Sequence, residues 1–260
     1  MPPEARLAAL PMYDEAEYAA ANDALWARIA AALDAPERLT RGMALPALWT
    51  DARLRLAQTC GWPFATTLAG RVSLLATPIY DLPGCDGATH CAFVVVREAD
   101  PAADLAGLRG RRLALNGWDS NTGMNLLRAL VAPLAEGGRF FGAIIETGAH
   151  RASLGAVADG RADVASVDCV TFGLLRRHAP AAVAGLRVLA ETPRAPALPF
   201  ITRAAAEPGA EIETLRAALS AALPAPQLGL AGVAILTPAA YAVLPDMAAQ
   251  AARRGYKALA

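Results

Sequence analysis

Arg111-Arg-Leu-Ala-Leu-Asn116, Ser120-Asn-Thr-Gly123, Phe140 to Glu146, Thr147-Gly-Ala-His150 and Asp163-Val-Ala-Ser-Val-Asp168 follow one another within sixty residues, and their order decides the fold. The first segment is a short apolar strand after the Gly110 turn. Behind Ser120–Gly123, the residues Met124, Leu127, Leu130, Val131 and Leu134 recur at helical spacing until Gly137-Gly138. Phe140 to Glu146 reads as a second strand, closed by Gly148. A helix from about His150 to Asp159 then stops at Gly160. The third strand, 163–168, is almost wholly apolar, as a strand covered on both faces must be. Thr171 to His178 reads as helix. This β-α-β-α-β-α order with short connections predicts an α/β chain whose sheets are mainly parallel, with right-handed crossovers.

Working outward, Leu7 to Leu10, Leu54 to Gln58, Val72 to Thr77 and Cys91 to Val96 predict further strands. Ala16 to Leu33 predicts a long helix with Leu25, Trp26, Ile29 and Leu33 along one side. After Pro193, Pro196 and Pro199 come a strand at Phe200-Ile-Thr202 and helices over about 211–223 and 238–254. The proline cluster and the stretch Glu98 to Gly107 read as crossing points between two lobes. The expected division is a discontinuous first lobe of residues 1–97 plus 193–260 and a second lobe of residues 98–192, the latter carrying the anion site.

The chain has 260 residues, enough for one large domain or two small ones, and its 55% hydrophobic and 18% charged shares exclude disorder. Lys+Arg and Asp+Glu balance at 24 each, and no basic run exceeds two residues, which argues against a nucleic-acid partner. Every apolar stretch is interrupted well before the roughly 20 residues of a membrane span. The start, Met1 to Pro11, carries Glu4 and lacks the basic and long apolar regions of a secretory leader, so the chain is expected in the cytoplasm, or in the periplasm if its start is misassigned. Cys60, Cys85, Cys91 and Cys169 have no zinc spacing, so no metal is expected. Cys85 and Cys91 lie close enough in sequence to pair if the protein is exported; in the cytoplasm they are expected to remain thiols.

Ligands of open parallel sheets bind beyond the carboxyl ends of the strands. Three such ends meet here: the loop Asn116 to Gly123, the turn Thr147 to His150, and Asp168-Cys-Val-Thr171. A loop of small hydroxyl and amide residues entering a helix suits an anion, because first-turn N–H groups have no intrahelical acceptor and the helix dipole adds partial positive charge. Ser120 and Thr122 add hydroxyl donors, and Gly123 admits a ligand to the backbone. The same residues would serve as plain helix caps. The loop lacks a P-loop lysine and a dinucleotide fingerprint, so no cofactor is expected. His150 stands at a helix start on this edge. Asp168 would accept a proton from a ligand or cap the next helix. His90 and His178 lack such a context and read as surface residues. Tyr13, Trp62 and Tyr80 follow first-lobe strands, where they would pack in the core or line a cleft, Trp62 first among them.

The run Leu108 to Asn116, Ser120-Asn-Thr-Gly123, Gly148-Ala-His150, Leu154 to Asp163 and Val167 to Phe172 resembles the phosphate/phosphonate-type substrate-binding proteins of ABC transporters. The likeness is close over 108–172 and looser over 50–260. It implies a two-lobe, type II periplasmic-binding-protein-like fold with a hinge, a small anionic ligand clamped between the lobes, and an ABC-transporter permease as partner. It also implies that Ser120, Asn121 and Thr122 hold the oxyanion, with His150 and Asp168 nearby. The family's loop usually carries a hydroxyl where Asn121 stands. Two other functions fit the same fold. One is a cytosolic enzyme similar to menaquinone-pathway lyases or thiamine-precursor proteins, with His150 as general base and Asp168 as its partner. The other is a ligand sensor, although no helix-turn-helix segment precedes it.

Overall fold

The structure is a computed structural model and describes residues 6–33, 38–205 and 209–259. Residues 1–5, part of the leader reading, lie outside them. In chain order the strands are β1 (Leu7–Ala9), β2 (Leu54–Gln58), β3 (Val72–Tyr80), β4 (Thr89–His90), β5 (Ala92–Arg97), β6 (Arg112–Leu115), β7 (Ala143–Glu146), β8 (Val164–Asp168), β9 (Leu186–Glu191), β10 (Ala195–Pro196), β11 (Phe200–Arg203) and β12 (Leu230–Ala234). The helices are α1 (Ala19–Ala30), α2 (Leu45–Trp49), α3 (Gly61–Ala65), α4 (Leu126–Val131), α5 (His150–Ala158), α6 (Cys169–His178), α7 (Ala210–Ala221) and α8 (Val243–Arg253).

The chain divides into two compact units: unit 1 is Met1–Asp81, Asp86–Ala88 and Pro196–Tyr241, and unit 2 is Leu82–Cys85, Thr89–Ala195 and Ala242–Ala260. Besides the short segments 82–85 and 193–195, two longer stretches expected in the first lobe, 89–97 and 242–260, fall in unit 2. Pairing explains the first, since β5 is hydrogen-bonded between β8 and β9. Packing explains the second, since α8 lies on α4 and buries Leu244 and Ala251.

Unit 1 has the sheet order β1-β2-β11-β3-β12. β1 and β2 are parallel, whereas β11 runs antiparallel to β2 and β3, and β12 antiparallel to β3. α1 packs on α7, and α7 on β3. Of the expected stripe, Leu25, Trp26 and Ile29 lie on α1 and are at most 1% exposed, each such side chain being worth about 2 kcal/mol of burial, whereas Leu33 lies beyond the helix end and is half-buried.

Unit 2 has the order β7-β6-β8-β5-β9. β6 is parallel to both β7 and β8, as expected; β5, which enters from the unit boundary, runs antiparallel to β8 and β9. The parallel core is pinned at the start of β8. Asp163 accepts from the Arg112 amide at 2.9 Å and from Arg112 Nε and Nη2 at 3.0 and 2.8 Å, which holds its carboxyl well below the usual range.

The right-handed rule converts this order into faces. The connection β6-α4-β7 moves one way along the sheet, and β7-α5-β8 moves back, so α4 and α5 lie on opposite faces. From β8 the chain continues in the second direction through α6 to β9, so α6 shares the face of α5. The 3-10 turn Pro180–Val183 touches both α5 and α6, while α4 touches α8. Neighbouring strands β6 and β8 thus send their helices to opposite faces. Their carboxyl ends form a topological switch point, where α/β sheets open a crevice for ligands.

Candidate functional site

The switch point lies between Leu115, the end of β6, and Asp168, the end of β8. Beyond β6, Asn121–Asn125 forms a π-helical turn that runs directly into α4. Ser120 caps it in extended conformation, its Oγ accepting the Gly123 amide at 3.0 Å. The capping role expected of this segment is therefore present. The Gly123 amide is engaged by the cap, but the Ser120 hydroxyl still has its proton to donate. Helical geometry gives the amides of Asn121 and Thr122 no acceptor within the helix.

Ser166 of β8 fixes the turn from below, donating to the Thr122 carbonyl at 2.7 Å. Asn121 is anchored by its side chain, whose Oδ1 accepts from Asn125 Nδ2 at 3.2 Å; that same amide nitrogen lies 3.2 Å from the Leu244 carbonyl of α8. Gly123 is required by space rather than by φ. A Cβ there would overlap Asn116 Oδ1 and meet Ser120 Oγ at 3.1 Å. Asn116 Oδ1 is itself buried without a hydrogen-bond partner, at the mouth of the helix.

His150 opens α5 and is half-buried, its Nε2 3.1 Å from Thr122 Oγ1. The turn before it is tied to β6, because the Thr147 hydroxyl sits 3.1 Å from the Leu115 carbonyl and 2.7 Å from Ser153 Oγ. Burial pushes the His150 imidazole below its ordinary pKa, against the opposing pull of Asp168. The ring is then neutral at pH 7, and its contact with Thr122 is that of an uncharged group. Because the unfolded ring binds a proton more readily than the folded one, His150 makes no pH-dependent contribution above about pH 6.5, and stability falls as pH drops below that value. A urea titration series from pH 7.5 to 5 should show this decline in wild type and a shallower one in His150→Gln. Equal slopes would remove His150 as its source.

Asp168 is 2% exposed. Its Oδ1 accepts the Val170 and Thr171 amides at 2.9 and 3.1 Å, capping α6, and its Oδ2 is 3.0 Å from His90 Nδ1. Desolvation pushes the carboxyl up, but His90, His150 and the Thr171 amide outweigh it and hold it below the usual range. His90 is a correction to the sequence reading. It is fully buried at the end of β4, against Asp168, rather than on the surface. Two isolated polar residues in an apolar stretch gave no periodic signal for this pairing, and only the β5–β8 register, which sets Ala92 opposite Asp168, brings them together.

In unit 1, Tyr13 and Tyr80 are both buried and meet edge-to-face with centroids 5.7 Å apart. Gln58 Nε2 donates to the Tyr80 hydroxyl at 3.2 Å. Trp62 is half-buried on the one-turn helix α3, right after β2. His178 ends α6, half-buried. Among the described residues no His/Cys/Asp/Glu group is arranged to hold a metal, and no helix is long and apolar enough to cross a membrane.

Comparison with known proteins joins this geometry to a family. The model for the ABC transporter, phosphonate, periplasmic substrate-binding protein family matches residues 7–239. The chain belongs to that family. Its function is accordingly solute binding of the ABC-transporter type, on a type II periplasmic-binding-protein-like fold. PhnD1 from Prochlorococcus marinus, in complex with methylphosphonate, is similar at TM-score 0.77 and 12% identity, over 95% of this chain and 97% of that one. A binding protein component of an ABC phosphonate transporter from Pseudomonas aeruginosa gives 0.75 and 11%, over 96% and 87%. A TctC solute binding protein from Polaromonas gives 0.54 and 15%, over 98% and 99%. Among curated protein sequences none matches.

Proposed function

We propose that this family member binds a small phosphonate- or phosphate-like oxyanion at the switch point of unit 2. The observation that carries the reading is the capped turn at Ser120–Gly123, where the Ser120 hydroxyl, the first-turn Thr122 amide and the Thr122–His150 pair converge at the positive end of a helix. Ser120, Thr122 and His150 touch the ligand, and Gly123 leaves room for it. Asn121 and Asp168 act from behind. The Asn121 side chain is committed to Asn125, and the Asp168 carboxylate to α6 and His90. Hydrogen bonds to an ionised acceptor are stronger than neutral ones, so a site without a lysine or arginine can still hold an anion. The protein acts as a binder rather than an enzyme, works in the periplasm as its family description indicates, and delivers its solute to an ABC permease.

The test is thermal unfolding with methylphosphonate, inorganic phosphate and sulfate as probes. A ligand at a hundredfold excess over its Kd adds about 2.7 kcal/mol of stability. Stabilisation by at least one of the phosphorus oxyanions, abolished in the double variant Ser120→Ala/Thr122→Val, is expected. No stabilisation by any of the three would overturn the reading. Consumption of the probe by wild type but not by His150→Ala would favour the enzyme alternative.

A further inference from the structure

Cys85 and Cys91, six residues apart, meet the sequence-distant Cys169 in unit 2 at the start of α6. Cys85 Sγ and Cys169 Sγ are 3.6 Å apart, and Cys91 lies beside Cys169. The Cys169 amide also donates to the Cys91 carbonyl at 3.1 Å. The sequence expects thiols, with Cys85 and Cys91 close enough to pair on export; in the structure the sulfur that Cys85 Sγ meets is that of Cys169. Close approach here depends on Gly84. Its φ is +86°, and a Cβ at that position would lie 2.7 Å from Cys169 Cβ and 2.8 Å from the Phe93 ring. No other residue lets the segment 82–85 lie this near α6.

We propose that Cys85 and Cys169 are a dithiol/disulfide modification site that reacts with a protein or small-molecule disulfide, leaving Cys91 beside them as a thiol. Cys85 is half-buried, whereas Cys91 and Cys169 are buried, so Cys85 is the sulfur an incoming disulfide meets. Hydrogen bonding to its neighbour, followed by burial, pushes the Cys91 thiol well up; the Cys169 thiol is raised first by its bond to Cys85. Neither buried thiol is therefore an opening nucleophile. In the first step Cys85 loses its proton and attacks one sulfur of the incoming disulfide; a mixed disulfide forms, and the expelled thiolate takes up a proton. Cys169 then loses its proton and attacks Cys85 Sγ, expelling the second thiolate, which is protonated in turn. Two protein thiols are oxidised and one external disulfide is reduced to two thiols, so atoms and electrons balance. The two protein sulfurs need to approach by roughly 1.5 Å to reach bonding distance.

The site can be read directly because Asp86 separates Cys85 from Cys91 in the sequence. The folded full-length chain is incubated with oxidised glutathione at neutral pH, remaining thiols are alkylated, and the product is cut with trypsin and a protease that cleaves before aspartate. The expected result is peptide Asp81–Cys85 joined to Asp168–Arg176 with loss of two hydrogens, while Asp86–Arg97 and the Cys60 peptide carry the alkyl label. The link should disappear after dithiothreitol and should still form in Cys91→Ser. A link between Cys85 and Cys91, failure of Cys91→Ser to form the bond, or full alkylation of all four cysteines would overturn the proposal.

Discussion

Asp168→Ala is expected to cost about 3–4 kcal/mol of unfolding free energy, the largest single loss from any change at the site. Two effects add. Removing one member of a buried pair leaves the other stranded, and here the stranded group is His90, which is fully buried 3.0 Å from the lost carboxylate. The α6 cap is lost as well, exposing the Val170 and Thr171 amides in a dry interior at a typical cost near 1 kcal/mol. Asp168→Asn separates the two, since its side-chain oxygen can still cap α6 while the negative charge facing His90 is gone. It should lose less than Asp168→Ala but more than an exposed control such as Asp159→Asn. The charge also predicts a pH dependence. The folded carboxyl sits below its unfolded value of about 3.8–3.9, so its contribution is complete above that range and is lost as pH falls through the folded pKa. Urea unfolding of the three proteins at pH 7, followed by circular dichroism, measures the difference. If Asp168→Ala lost less than about 1 kcal/mol, the carboxylate would not be the buried hub described here.

The prominence of Asp168 was half legible in the sequence. A carboxylate ending an apolar strand must find donors, and the amides of the following helix supply them at a spacing that sequence alone predicts. His90 was invisible, because a histidine two residues before an apolar run carries no period, and its partner lies 78 positions away through an antiparallel pairing. The same contrast runs through the fold. β6, β7, β8 and their helices could be placed within a few residues, since they form a parallel group joined by short crossovers and most of their boundaries are marked by glycine or a capping side chain. β5 and β11 are legible to within a residue but not in their direction, whereas β9 and β12 are not legible at all. β5, β9 and β11 pair antiparallel with partners set by where the chain re-enters each unit, and a hydrophobic run does not encode direction. The compact units differ from the expected lobes for that reason at 89–97, and at 242–260 because α8 is joined to unit 2 by its apolar face rather than by any sequence punctuation. The Ser120–Gly123 segment is a helix entrance, as its residues predict. Its π-helical geometry and the diversion of Asn121 to Asn125 depend on Asn125 and Leu244, which no local pattern links.

Gly123→Ala should separate oxyanion binding from stability more cleanly than any other change. Both Gly123 and Gly155 lie in helical turns without positive φ, so alanine suits the backbone at each and, by propensity alone, would add up to about 1 kcal/mol of stability. Around Gly155 no atom lies within 4 Å of a new Cβ, so Gly155→Ala is expected to realise most of that gain. At Gly123 the methyl must displace the Asn116 side chain and press on Ser120 Oγ, the atom that caps the turn. Asn116 can rotate aside, which limits the cost to folding. The rotation sends its amide into the space before the Asn121 and Thr122 amides, where the oxyanion is proposed to sit. The expected outcome is a change in unfolding free energy within about 1 kcal/mol of wild type, together with at least a tenfold loss of methylphosphonate or phosphate affinity, equivalent to about 1.4 kcal/mol. Gly155→Ala should bind as wild type does. Calorimetric titration of the three proteins decides it: undiminished affinity in Gly123→Ala would place the anion away from this helix entrance, and equal losses in both variants would trace the effect to helix rigidity instead of occupied space.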